Sequence, residues 1–221
     1  MTTILLARHG ESDWNASRRW QGHADRPLTG RGLAQAEALA DRLDEVALDA
    51  VYASDLRRAL ETAEVVARRK GLTVAIVSEL REVDVGSWSG LTRLEAEERF
   101  PDGFRRWLEG GPGWEGGETY EEMAERIEHA VRTIAGEHPR GRVLLVSHGG
   151  PIRAVHALAL GLEVHAYRRM RPVEPNARLS AVCIEGNRFT ELCPASEIDD
   201  LLARDQAARI EASRRPPTPA G

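Results

Sequence analysis

Two stretches of this chain place a histidine where it could do chemistry. Ile4, Leu5, Leu6 and Ala7 form a short apolar run that ends in Arg8, His9 and Gly10. Val143 to Val146 form a second run, followed by Ser147, His148, Gly149 and Gly150. Apolar runs of this length read as buried strands. A buried strand that stops in titratable residues presents them at its carboxyl end, where open α/β sheets bind ligands. The glycines let the backbone turn sharply and approach a ligand closely. A lone histidine at such a place is readily satisfied by nearby backbone. Two parallel strands ending in His-Gly could instead bring His9 and His148 together at one sheet edge.

The rest of the chain must position that edge. Leu33, Ala36, Leu39, Ala40 and Leu43 have helical spacing, so a helix is predicted over 29–43 with Thr29 as its cap. Residues 50–53 and 73–77 read as strands. Between them, Ser54 or Asp55 is expected to cap a helix that runs to about Lys70 and closes at Gly71. Residues 79–118 are rich in Gly, Pro and Trp and read as a loop-rich lid, with short helices near 91–99 and 102–108. Thr119 and Glu122 have capping-box spacing and open a helix to about His138. Pro151 suits a first helical position and predicts a helix through Leu160. Two strands around Gly186-Asn187 read as a hairpin. A polar helix is expected at 197–212, then a disordered Pro-rich tail. Alternating strands and helices predict one α/β domain over 1–196, with a mainly parallel central sheet and helices on both faces. Residues 197–221 fall outside it.

Composition narrows the function. With 42% hydrophobic and 29% charged residues, the chain is that of a water-soluble globular protein. No segment approaches the ~20 apolar residues of a membrane span. The N-terminus runs straight into a strand rather than a signal peptide, which predicts the cytoplasm. Cys183 and Cys193 lie in strand-like apolar settings and are expected to be reduced. A net charge of -5 gives no reason to expect nucleic acid as a partner. An anionic ligand would have to be drawn by a local group of cations. Nothing in the sequence excludes assembly into an oligomer.

The stretch Leu6-x-Arg-His-Gly-Glu-Ser-x-x-Asn15 resembles the signature of the histidine phosphatase superfamily, which includes cofactor-dependent phosphoglycerate mutases and many phosphomonoesterases. Four further blocks follow in the family's order. Gln21-Gly22 resembles a pair that partly lines the family's site. Ser54-Asp-Leu-Arg-Arg-Ala-Leu-Glu-Thr-Ala63 resembles a block that places the phosphate-binding arginine at Arg58. Neighbouring helical residues point about 100° apart, so Arg57 and Arg58 cannot share that task. Leu80-Arg-Glu-Val-Asp-Val-Gly-Ser-Trp-Ser-Gly90 resembles a block whose glutamate is the proton donor, here Glu82. Asp84 is its rival by spacing alone. Ser147-His-Gly149 resembles the setting of the family's second histidine, and Arg153 fits the arginine that follows it, as a supporting residue.

The resemblance implies a phosphoryl-transfer site for a small phosphorylated metabolite. Arg8 and Arg58 would offer planar forks to phosphate oxygens. Asn15 and the Gly149 backbone N–H would add donors, as would His148 if protonated. His9 would attack phosphorus to form a phosphohistidine, and Glu82 would protonate the leaving oxygen. No metal and no cofactor is expected, because arginine and histidine supply the charge a metal would.

Several functions fit that chemistry. A phosphatase is favoured over a mutase, because only about thirty residues separate Gly90 from the helix at Thr119 and because the segment reads Gly-x-Trp-x-Gly. Arg105-Arg106 complicates this, since mutases hold a carboxylate with such a pair; a solvated helix face is the competing account. A non-catalytic phosphate-binding module is a third reading. A metal-dependent hydrolase would need additional Asp or His residues near the two histidines. The basic pair Arg18-Arg19 and Trp14, Trp20, Trp88, Trp107 and Trp114 could shape a substrate mouth, although tryptophans at such positions mostly pack under loops.

Overall fold

The computed structural model describes residues 1–193 together with 198 and 202. In chain order these comprise β1 (Thr2–Arg8), α1 (Asp13–Ala16), α2 (Gly30–Arg42), β2 (Ala50–Ala53), α3 (Arg57–Lys70) and β3 (Val74–Ile76). They continue with α4 (Arg93–Arg99), α5 (Pro101–Leu108), α6 (Tyr120–Glu137), β4 (Arg142–Ser147), α7 (Gly149–Leu160), α8 (Val164–Met170), β5 (Leu179–Glu185) and β6 (Arg188–Cys193). The strands form one six-stranded sheet in the order β3-β2-β4-β1-β5-β6. β1 to β4 are mutually parallel, and the β5–β6 hairpin adds two antiparallel strands at one edge. The fold is therefore the expected α/β sheet with a mainly parallel core.

Strand periodicity builds the two faces. Ile4 and Leu6 of β1 pack into one core with Val143 and Leu145 of β4 and with Met123, Ile127, Val131, Ile152 and Val155 of α6 and α7. Leu5, Ala7, Leu144 and Val146 point the other way, into a core with Leu39 and Ala40 of α2 and Ala63 and Val66 of α3. Both faces are buried, so β1 and β4 read as continuous apolar runs rather than alternating ones. Truncating Leu5 or Leu145 to alanine should destabilise the fold by about 2–5 kcal/mol.

Some helix boundaries differ from the sequence reading. Neither Ser54 nor Asp55 caps α3; the N-cap position is Leu56, without a side-chain cap. Asp55 is drawn away by its ion pair with Arg81. Asp25, from a distant loop, accepts from the Arg57 backbone N–H at 2.6 Å and takes over the capping task. Thr29 and Thr119 do cap α2 and α6, the latter through a capping box. α7 starts at Gly149, two residues before Pro151. Leu33 is on the solvent side of α2, 47% exposed. The short α1 and α8 were not anticipated. The polar helix and tail expected over 197–221 lie outside the described residues, save Ile198 and Leu202. No helix among the described residues is long and apolar enough to cross a membrane.

The insertion over 79–118 has its own aromatic core. Trp88 is fully buried, with Trp20, Phe104, Trp107 and Trp114 around it at centroid distances of 5.4 to 6.2 Å. Gly86 lies so close to the backbone of Glu115 that an added Cβ would stand 2.1 Å from its carbonyl oxygen. The tryptophans thus do both jobs proposed for them: Trp88 and Trp114 pack, while Trp20 and Trp107 also line a cavity.

Candidate active site

β1 and β4 are adjacent and parallel, with Arg8 in register with Ser147. The next residue on each strand is a histidine, so sheet geometry alone brings His9 beside His148. Their ring centroids are 5.1 Å apart. The His9 N–H continues the ladder by donating to the Ser147 carbonyl at 3.0 Å. Gly10 then passes close under α2, where an added Cβ would meet the Gly32 carbonyl oxygen at 2.4 Å. Only glycine allows that approach.

The hydrogen bonds assign both imidazole tautomers. His9 Nδ1 lies 2.6 Å from the Gly10 carbonyl oxygen. A carbonyl only accepts, so Nδ1 carries the proton and Nε2 keeps a lone pair. Arg58 Nε donates to His148 Nδ1 at 3.2 Å. A guanidinium only donates, so a neutral His148 carries its proton on Nε2. That Nε2 is buried and finds no protein partner among the described residues. Burial, then the charges of Arg58 and Arg8, hold the His9 pKa well below 6.5. Burial and the Arg58 charge do the same for His148. The condition set for His148, that it be protonated, is disfavoured beside the buried arginines, and its neutral tautomer still offers the Nε2 proton as a donor.

Arg58 is fully buried. Its Nη1 and Nη2 donate to the carbonyls of Ala24 and Gly22 at 2.7 and 2.9 Å. With Nε on His148, three of five N–H groups are committed and two remain for a ligand. The Gly22 carbonyl is aimed by a backbone φ of +51°. Arg8 is anchored by Nη1 on the Glu174 carbonyl at 2.6 Å, and its buried Nε has no hydrogen-bond partner among the described residues.

Arg8, His9 and Arg58 open onto a cavity of about 310 Å³ lined also by Asn15, Gln21, Gly22 and Glu82, whereas His148 is fully buried beside His9 and does not itself line it. The Asn15 carboxamide oxygen accepts from Ser12 and Asn176, which leaves its Nδ2 as the group it can offer. Gln21 is fixed likewise, its oxygen accepting from Ser12 Oγ at 2.7 Å. Glu82 Oε1 accepts from the backbone N–H groups of Val83 and Gly150, both at 3.0 Å. Asp84 is turned away: it accepts from Gly86 N and faces His23, outside the cavity. Gly150 lines the cavity and Gly149 does not; an added Cβ on Gly149 would meet Val173. Arg105 pairs with Asp102 on an exposed face, and neither it nor Arg106 reaches the cavity.

The outer wall was legible only in part: Arg18, Arg19, Trp20 and Trp107 were candidates for a substrate mouth, whereas Arg93, Arg168 and Tyr120 were missed. Arg18, Arg19, Arg93, Arg153 and Arg168 line it with Trp20, Trp107 and Tyr120. Arg153 was read as a supporting residue only. Arg126 was also missed: it donates to the carbonyls of Arg81 and Glu82 at 2.8 Å each and pairs with Glu118. Among the described residues no group of three or more His, Cys, Asp or Glu is placed to hold a metal ion.

Residues 4–194 match the model of the histidine phosphatase superfamily, branch 1. The chain belongs to that superfamily. Phosphoserine phosphatase 1 of Hydrogenobacter thermophilus is 36% identical over 169 residues, 76% of this chain and 80% of that protein. A probable phosphoglycerate mutase, GpmB of Salmonella choleraesuis, is 38% identical over 177 residues, 77% of this chain and 80% of its own length. Among solved structures, mycobacterial glucosyl-3-phosphoglycerate phosphatase superposes with a TM-score of 0.78 at 30% identity, covering 87% of this chain and 98% of that one. Bacillus stearothermophilus YhfR gives 0.82 at 31%, covering 88% and 97%. The superfamily member described here is thus an enzyme of the phosphatase and mutase group.

Proposed function

We propose that this chain is a metal-independent phosphomonoesterase that hydrolyses small phosphorylated metabolites through a phosphohistidine on His9. The observation that carries the reading is the His9 tautomer, which leaves a neutral Nε2 lone pair beside Arg58 and His148. In the first step Nε2 attacks phosphorus and the bond to the ester oxygen breaks. The leaving oxygen takes a proton from Glu82. Oε1 of Glu82 is occupied as an acceptor of two backbone N–H groups, so Oε2 is the oxygen that bears the proton. In the second step the Glu82 carboxylate takes a proton from water, whose oxygen attacks phosphorus. The P–N bond breaks, and inorganic phosphate and neutral His9 are released. Arg8, Arg58, His148 Nε2 and Asn15 Nδ2 stabilise the charge on the equatorial oxygens. The arginine-rich lining, with few carboxylates, supports a mechanism without metal.

The mutase reading has a specific support in the relatives named as probable phosphoglycerate mutases. The exposed position of Arg105 and Arg106 favours hydrolysis, since they cannot hold a substrate carboxylate from there. Free, buried Cys183 supports the cytoplasm as its compartment. Rapid quench with 32P-labelled substrate should give acid-labile label on His9 that decays to phosphate. With primed 3-phosphoglycerate, phosphate release should outrun formation of 2-phosphoglycerate. Label on His148, or faster isomerisation than release, would overturn the corresponding part of the proposal.

A further inference from the structure

The segment between α8 and β5 returns to the site and grips it from behind. The Glu174 carbonyl accepts from Arg8 Nη1 at 2.6 Å. Ala177, at a left-handed φ of +57°, donates its N–H to the Arg8 carbonyl at 2.9 Å. Between them stands Asn176, half-buried, with a role in no step of the mechanism above. Its Nδ2 donates to the His9 carbonyl at 2.9 Å and to the Asn15 carboxamide oxygen at 3.3 Å. Asn176 does not line the cavity, whereas His9 and Asn15 both do.

Main-chain groups fix the direction of both amides. A backbone N–H only donates, so Ser12 N, at 3.1 Å, selects Oδ1 as the Asn15 atom that faces it. A backbone carbonyl only accepts, so that of His9 selects Nδ2 as the Asn176 atom that meets it. The two N–H groups of Asn176 are thereby divided between the residue that bears the attacking ring and the amide that bears a phosphate donor. With its oxygen held on Ser12 and Asn176, Asn15 has its own Nδ2 left for the cavity. Resting on the phosphatase reading above, we infer that Asn176 is a positioning residue, which holds the phosphate-binding amide of Asn15 in register with the nucleophile His9.

Asn176→Asp keeps the shape of the side chain but sets an oxygen against two oxygens, and Asn176→Ala removes the donors outright. Each should lower kcat/KM for p-nitrophenyl phosphate and weaken the binding of inorganic phosphate, measured by calorimetry, by about tenfold. A double-mutant cycle with Asn15→Ala separates positioning from support of the fold. In the Asn15→Ala background the same substitutions should weaken phosphate binding by no more than about threefold, because the amide they orient is gone. Additive losses, or variants that bind phosphate as the wild type does, overturn the role of Asn176 and leave the phosphatase reading intact. Should Asn176→Asp fail to fold, Asn176→Ala carries the cycle; failure of both to fold makes the residue structural and overturns the role as well. A wild type that binds phosphate but hydrolyses no phosphomonoester removes the phosphatase reading, while the binding cycle still tests Asn176.

Discussion

Arg126 Nη2 donates to the main-chain carbonyl of Glu82 at 2.8 Å, while Nη1 holds the carbonyl of Arg81. The guanidinium thereby fixes the backbone that carries the proposed acid, from a helix on the other side of it. A planar fork makes this clamp; an ammonium cannot. Arg126→Gln should lower kcat for an alkyl phosphate by about tenfold and that for p-nitrophenyl phosphate by less. Arg126→Lys should recover little. Equal losses on both esters would show that Arg126 only supports the fold.

The opposite constraint on Glu82 comes from Gly150. A Cβ there would stand 2.3 Å from Glu82 Oε1 and 2.9 Å from Met123 Sδ. Gly150→Ala must push the carboxyl out of place and should cost about 100-fold in kcat/KM on an alkyl phosphate. Gly149→Ala meets only a methyl of Val173, a residue 39% exposed and free to shift, and should cost far less. A larger loss at Gly149 would restore it as the residue whose backbone meets the phosphate.

The histidines give a pH signature in two measurements. Both pKa values are lowered by burial and by the arginines, so in the free enzyme both stay neutral below pH 6.5. The acid limb of kcat/KM should therefore lie below 6.5, since the His9 lone pair persists. Stability has the opposite sense. Below 6.5 the unfolded chain binds protons that the native state refuses, so stability falls as pH falls, by at most about 1.4 kcal/mol per pH unit for each histidine. Urea unfolding at pH 7.5 and 5.5 measures the loss, and His148→Asn should reduce it. An unchanged loss would mean that His148 takes its proton in the folded protein.

Arg105→Ala and Arg106→Ala should leave kcat/KM for phosphorylated sugar acids within about twofold, because exposed pairs such as Arg105–Asp102 contribute little. A tenfold rise in KM would give the pair a substrate role and revive the mutase reading.

These residues also mark how far the sequence could be read. His9 and His148 were legible because each directly follows a short buried strand, and parallel register then does the rest. Arg58 was legible because its block fixes a position in the first turn of α3. Arg153 was legible only as a supporting residue, and Arg168 and Tyr120 not at all, because they reach the cavity through the packing of α6, α7 and α8 against one another. Helical periodicity says which residues face the core, and a half-buried arginine at a cavity wall has no periodic signature. The cap of α3 was misplaced for the same reason: Asp25 comes from a loop thirty-two residues away in sequence. Glu82 and Asp84 were equal by spacing, and the structure separates them: Glu82 lines the cavity, whereas Asp84 accepts from Gly86 N and faces His23 outside it.

Glu82 remains the assignment that bears most on mechanism. A general acid matters most for the most basic leaving group. An alkoxide needs the proton, whereas p-nitrophenolate is stable without it. Glu82→Ala should therefore slow phosphorylation of His9 by about 100-fold or more with an alkyl phosphate, and much less with p-nitrophenyl phosphate. The same substitution removes the base for the second step. The aryl ester should then show a burst of phenolate followed by slow turnover, with phosphohistidine accumulating. Glu82→Gln keeps the acceptor for Val83 and Gly150 but cannot donate an acidic proton, so it separates positioning from chemistry. Single-turnover rates for both esters in wild type and the two variants resolve the steps. Equal losses in the first step for both esters would show that Glu82 is not the proton donor.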